Sequence, residues 1–504
     1  MIYLNYQIKY LLLIQIMSSM KRNLFYAQSV LILILLITGC QSSTPPQYSP
    51  ETLERIRQVE NSLGDWVRTQ NDTIWNLEQR MKHHNITGVS IAVINDFKLD
   101  WAKGYGWADV SEQRPVTEKT LFQAASISKS LNGVGVMKLV QDGKIDLKTD
   151  INQYLTSWKF PYDTVSKGKL ITVGALLSHT AGLTIHGFPG YARGDSLPTI
   201  QQILDGQKPA NTEAVRSLME PGLRPVYSGG GITVSQLIVS DVTQQPYDVF
   251  MQKNVLDPMG MTGSFYTIPS ATTDTTMLAT GYKADGTPVK GKYHLYPEQA
   301  AAALWTNPSD LGRYIIETAL SYNGKSEKVL TPEYTKMRLE PVMANAALGV
   351  SIARKDSSYY FSHGGANEGF TCYYVGDVIS GNGMVIMTNS DNGSLYAEVA
   401  NSVATVYNWK DYYKPVLKTV IDLDEADLDR YVGKYETTGG SYTIKREGRN
   451  LLVSPYPGYW VNVYFTSDVD FFVREYEGNQ TFAIDDKGKV TGFTMGGMVV
   501  PKVE

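Results

Sequence analysis

Ser126 and Lys129 stand three residues apart in Leu121-Phe122-Gln123-Ala124-Ala125-Ser126-Ile127-Ser128-Lys129-Ser130. A hydroxyl becomes a useful nucleophile once a base takes its proton, and a lysine can serve when burial or a nearby cation lowers its pKa. Three further stretches carry groups of the same kind. Tyr227 lies in Arg224-Pro225-Val226-Tyr227-Ser228-Gly229-Gly230-Gly231, and His363 in Phe361-Ser362-His363-Gly364-Gly365-Ala366. His179 lies between the serine and the tyrosine, in Leu176-Leu177-Ser178-His179-Thr180-Ala181-Gly182-Leu183. Taken alone, Ser126 reads more readily as a helix N-cap and Lys129 as a solvated first-turn lysine; the company they keep reverses that reading.

Local elements must position these groups. Ile127, Leu131, Val134 and Met137 recur at helical spacing, which predicts a helix opened by Ser126 and buried along one face. Residues three apart share a face, so Lys129 lies beside Ser126 while Ser128 is rotated away. The helix N-terminus adds the positive end of the dipole and free N–H groups. Tyr227 precedes a glycine run that starts a second helix, and His363 with its two glycines precedes a strand around Gly369 to Val375.

Helical spacing runs from Glu51 to about His84, with Trp66, Ile74, Leu77 and Met81 on one side. Gly88 to Ile94 and Lys98 to Gly106 read as paired antiparallel strands. Short helices are predicted near Ile171 to Ser178, Gly230 to Val242 and Pro246 to Val255, strands at Leu348 to Ala353 and Gly383 to Thr388, and a helix at Leu395 to Tyr407. Helices in the middle and strands at both ends imply an α+β fold, in which one antiparallel sheet is assembled from distant segments beside a helical subdomain. Past Trp409 to Pro415 the texture changes to short alternating strands with hairpin turns at Glu447-Gly448-Arg449-Asn450 and Asp485-Asp486-Lys487-Gly488, a small C-terminal all-β segment over 421–504.

The 504 residues suffice for two or three domains, and 43% hydrophobic with 19% charged residues describes an ordinary globular chain. A net charge of −4 offers no electrostatic case for nucleic acid. The two cysteines, Cys40 and Cys372, do not form a disulfide framework. Cys372 sits on an alternating strand and reads as a packing thiol. At the N-terminus, Lys21-Arg22, the apolar run Val30 to Ile37, and Leu36-Ile37-Thr38-Gly39-Cys40 resemble a bacterial lipoprotein signal, with the leader starting at Met17 or Met20. That pattern implies lipidation of Cys40 and attachment to a membrane in the bacterial cell envelope, facing the periplasm or the surface, with Gln41 to Pro46 as a tether.

In their order, Ser126-x-x-Lys129, the Leu-Leu-Ser-His-Thr-Ala-Gly-Leu stretch, Tyr227-Ser228-Gly229 and His363-Gly364-Gly365 resemble the serine β-lactamase and penicillin-binding-protein superfamily, in its class C β-lactamase-related, peptidase S12-like branch. Pro258-Met259-Gly260-Met261-Thr262 and Trp305 to Leu311 are weaker echoes. The resemblance covers roughly residues 70–410 and divides the chain into a signal (1–40), a tether with first helix (41–69), a catalytic domain (70–410) and a lipocalin-like β domain (421–504). It implies Ser126 as nucleophile with Lys129 and Tyr227 dividing the base role, His363 meeting substrate or tuning the tyrosine, and Gly364 and Gly365 clearing a strand edge. The Ser126 and Ala366 N–H groups would form an oxyanion hole. His179 would brace the site without reacting.

One position departs from the pattern. Gly229 stands where the family often has an asparagine that donates to the substrate amide. The implied activity is a serine hydrolase that forms an acyl-enzyme on amides or esters, with D-amino-acid peptides or cell-wall fragments first and carboxylic esters or β-lactams next. A catalytically weak binder of wall peptides or β-lactams is the rival of another class. No organic cofactor or metal is implied: no Gly-x-Ser-x-Gly elbow or His-Glu-x-x-His motif is present, and His83-His84 has no nearby ligand to complete a set.

Overall fold

The computed structural model describes residues 48–503, except 71, 271, 272, 410, 438, 439, 457, 458, 476 and 477. Cys40 and its leader lie outside the described residues. The central sheet has seven antiparallel strands, β1 (Gly88–Asn95), β2 (Lys98–Asp109), β3 (Arg114–Pro115), β4 (Ser351–Lys355), β5 (Ser358–Asn367), β6 (Phe370–Asp377) and β7 (Gly383–Thr388), in the order β3-β2-β1-β7-β6-β5-β4. The two ends of the segment are joined at β1 and β7, with Ile91 opposite Ile386. Val89 and Ile91 to Ile94 are buried on both faces of β1, so the strand reads as a continuous apolar run and not as an alternation. His363 to Ala366 fall inside β5, a strand of their own, not on a turn ahead of the next strand; two consecutive glycines hid it.

Between the sheet halves lie α1 (Ser128–Gln141), α2 (Gly229–Thr243) and α3 (Pro308–Tyr322). α2 starts where Ser228 Oγ accepts the Gly231 N–H at 2.9 Å, and α3 where Asn307 caps with proline in the first turn. Ser128 to Met137 are buried on every side, so α1 is a core helix and not an amphipathic one. The region before β1 is not one long helix: Pro50–Glu60 and Leu77–His83 are helical, and Val67–Thr69 between them is a strand pairing in parallel with Val416–Lys418.

From Gly433 to Pro501 eight strands follow one another as an antiparallel meander. The first and last approach through the Tyr435–Lys502 bridge, so the sheet nearly closes. Its interior is filled by Tyr431, Tyr435, Phe471, Phe482 and Phe493. Arg474 links it to the N-terminal segment through Asp65 and Asp72 at 3.1 and 2.5 Å.

Candidate active site

Within Leu121 to Met137, Ser126 alone is not buried. It sits in a tight turn, Ala125–Ile127, that runs into α1, with Ala125 at φ 47° immediately before it. A left-handed alanine costs on the order of 1 kcal/mol, and persists because Ala124 and Ala125 are clamped by β5. A methyl group on Gly365 would lie 2.3 Å from the Ala124 carbonyl oxygen and 3.2 Å from Ala125 Cβ. Only glycine lets the strand come this close, and the approach sets Ala366 beside the serine in the same cleft. Cys372, opposite Gly365, points its thiol at the Ala124 carbonyl at 3.1 Å, and burial raises its pKa, in keeping with a packing role.

Lys129 is buried, with Nζ 2.9 Å from Ser126 Oγ and 2.7 Å from the carbonyl oxygen of Ala301. No carboxylate pairs with it among the described residues. Its ammonium lies 5.1 Å from the centroid of the Tyr227 ring. Tyr227 is 39% exposed, and its hydroxyl has no hydrogen-bond partner among the described residues. The ring is held from both sides, by His179 at 4.3 Å and His363 at 6.3 Å between centroids. His179 Nδ1 accepts the Ser228 N–H at 3.1 Å, which places the proton of its neutral form on Nε2. His186 Nδ1 lies 2.5 Å from the Tyr227 carbonyl oxygen. Burial, then the charge of Lys129, pushes the pKa of His179 down to about 3 and that of His363 to about 4. Around neutral pH, Lys129 is thus flanked by two uncharged imidazoles.

A cleft of about 610 Å³ is lined by Ser126, Tyr227, His363, Gly364, Gly365 and Ala366. β4 pairs with β5 only as far as Ser351 opposite Ser362, so beyond that point the cleft side of β5 is no longer covered by a neighbouring strand. Gly229, the first residue of α2, stays apart from this lining. A Cβ there would meet Phe188 Cε2 at 2.9 Å, because the ring of Phe188, from the loop at Gly187 to Asp195, occupies that space.

The structure therefore gathers Ser126, Lys129, Tyr227, His363, Gly364, Gly365 and Ala366 in one place. Two contributors escaped the sequence: the Ala301 carbonyl, which any residue type supplies, and Phe188, whose position depends on how its loop folds back. An activated hydroxyl beside an open strand edge is equipped for acyl transfer.

The model of the Beta-lactamase family matches residues 76–406. Protein flp of Staphylococcus aureus (strain N315) is 24% identical over 362 residues, 69% of each chain. Among solved structures, an octameric penicillin-binding-protein homologue from Pyrococcus abyssi superposes with a TM-score of 0.57 at 19% identity, covering 84% of this chain and 98% of that one. D-amino acid amidase from Ochrobactrum anthropi SV3, complexed with L-phenylalanine, gives 0.55 at 21% identity, covering 71% and 98%.

Proposed function

The chain belongs to the Beta-lactamase family, and from that premise we propose that it is a serine hydrolase forming an acyl-enzyme on Ser126. The observation that carries this reading is the 2.9 Å contact from Lys129 Nζ to Ser126 Oγ at the floor of a cleft edged by β5. Ser126 Oγ adds to the substrate carbonyl carbon while its proton passes to Lys129 or to the Tyr227 hydroxyl. The oxyanion is held by the N–H groups of Ser126 and Ala366. The C–N or C–O bond then breaks as the same relay protonates the leaving group, and water, deprotonated in turn, releases the acid.

The substrates we assign are D-amino-acid peptides or cell-wall fragments lying along β5. Phe188 in the space of the missing asparagine argues against efficient β-lactam turnover. The hydrolase would be lipid-anchored through Cys40 in the bacterial envelope, a reading supported by the basic, apolar and small-residue succession before that cysteine. Labelled palmitate taken up by the wild type and not by Cys40→Ala tests the anchor. For the chemistry, mass spectrometry after exposure to a fluorescent penicillin, a D-alanyl dipeptide and a short-chain ester should find an adduct or turnover that Ser126→Ala abolishes. Binding without adduct or turnover would leave a receptor.

A further inference from the structure

A second cavity of about 670 Å³ adjoins the catalytic cleft, and Ser362 and Tyr373 line both. Tyr373 is the partition. On the catalytic side it stacks on Tyr396, with centroids 5.5 Å apart and planes at 25°. On the other side part of the wall is aromatic, with Tyr360 and Trp66 standing 5.3 and 6.0 Å from the ring of Tyr412, and charged side chains such as Arg354, Lys355 and Asp411 line much of the rest. Trp66 and Tyr412 come from segments before and after the 76–406 stretch that matches the family, so they add to the lobe a wall that the family model does not cover.

We propose that this lobe is a substrate subsite that takes an aromatic ring carried several residues from the bond being cleaved. The inference rests on the hydrolase reading above. Ala366 lies four residue steps along β5 from Ser362, about 14 Å of extended chain. A substrate strand laid on the open edge of β5 ends where β4 begins, at Ser362, and from there would turn into the lobe at about that distance from its scissile carbonyl. Rings gain from tilted and edge contacts, and Trp66, Tyr360, Tyr373 and Tyr412 all line the lobe, so an incoming ring can meet several of them at once. On the catalytic side Gly364 has no side chain to stand in the way: a Cβ there would meet nothing closer than 3.7 Å.

The test compares p-nitrophenyl acetate with two sets of esters bearing a phenyl ring about 14 Å from the carbonyl, on the acyl side in one set and on the alcohol side in the other. Ring-free esters of equal length are the reference. One set is expected to gain about tenfold or more in kcat/KM over its ring-free partner. Tyr412→Ala and Trp66→Ala should erase that gain while leaving p-nitrophenyl acetate within about twofold, and Tyr412→Phe, which keeps the ring, should retain it. Ser126→Ala protein should still bind the favoured ester about tenfold more tightly than the ring-free one. The subsite is overturned if neither set gains in rate or binding, or if the gain survives both alanine variants. Ring-dependent binding without turnover of any ester keeps the subsite and sinks the hydrolase.

Discussion

Gly365 and Ala124 are pressed together so closely that a single added methyl would fall 2.3 Å from a backbone oxygen. This contact fixes the distance between β5 and the turn that presents Ser126. Gly365→Ala is expected to spread the two apart, lowering kcat by about a hundredfold, the scale of losing one oxyanion donor, with a smaller effect on KM. Steady-state ester kinetics with a circular-dichroism melt check this. Full activity in a folded variant would show that the spacing is immaterial.

Ser126 and Lys129 share one hydrogen bond, so their contributions should not add. Lys129→Ala alone should cost about a hundredfold or more. Combining it with Ser126→Ala should cost little beyond Ser126→Ala alone. Ser128→Ala serves as the contrast: Ser128 Oγ accepts from the Leu304 N–H inside the core, so its loss should lower the melting temperature and spare acylation.

The missing amide donor cannot be restored by a single change. Gly229→Asn brings a Cβ to 2.9 Å of the Phe188 ring, so by itself it should destabilise the loop and leave penicillin acylation unchanged. Gly229→Asn with Phe188→Ala makes the room, and penicillin acylation relative to ester hydrolysis should then rise. Stopped-flow acylation rates for the two variants decide it; a rise in the single variant would show that Phe188 is no obstacle.

Two imidazoles set a pH dependence. Burial and the charge of Lys129 hold His179 at about 3 and His363 at about 4, against 6.5 for the free group. In the unfolded chain both take up protons as pH falls below 6.5. Their contribution to stability is therefore intact above that value and is lost as pH drops toward 4 and then 3. Glu298 runs the other way, since burial raises its carboxyl to about 8 and its contribution fades as pH rises. The readout is thus the difference between variants. Urea midpoints from pH 7 to 5 should fall less steeply for His179→Gln than for the wild type, and equal slopes would refute the neutral ring.

The seven-stranded sheet was legible in outline because β1, β6 and β7 are apolar runs that only a buried strand explains. The meeting of Ser126, Lys129 and Tyr227 was legible because the spacing is local: Ser126 to Lys129 is about one helical turn, and Tyr227 stands just before a helix start. What escaped depends on chain meeting chain. Trp66 looked helical through its spacing to Ile74 and Met81, yet Gly64 is buried and Leu63 bridges Trp75 as in a strand. α3, capped by Asn307 with Pro308 in its first turn, was not predicted from the sequence, and its role in covering β1 and β7 needed the third dimension.

β4 lets go of β5 at Ser362, and from there the molecule can grip an incoming chain by main chain alone. A main-chain grip is blind to side chains, so it can be inherited unchanged while preferences drift. On the proposed subsite, mutations at Trp66 or Tyr412 would retune what is held and leave Ser126 and Lys129 in place. If the lobe binds and the cleft cuts, appetite and digestion are encoded in different parts of the chain, and a lineage built on this scaffold would change diet at little risk.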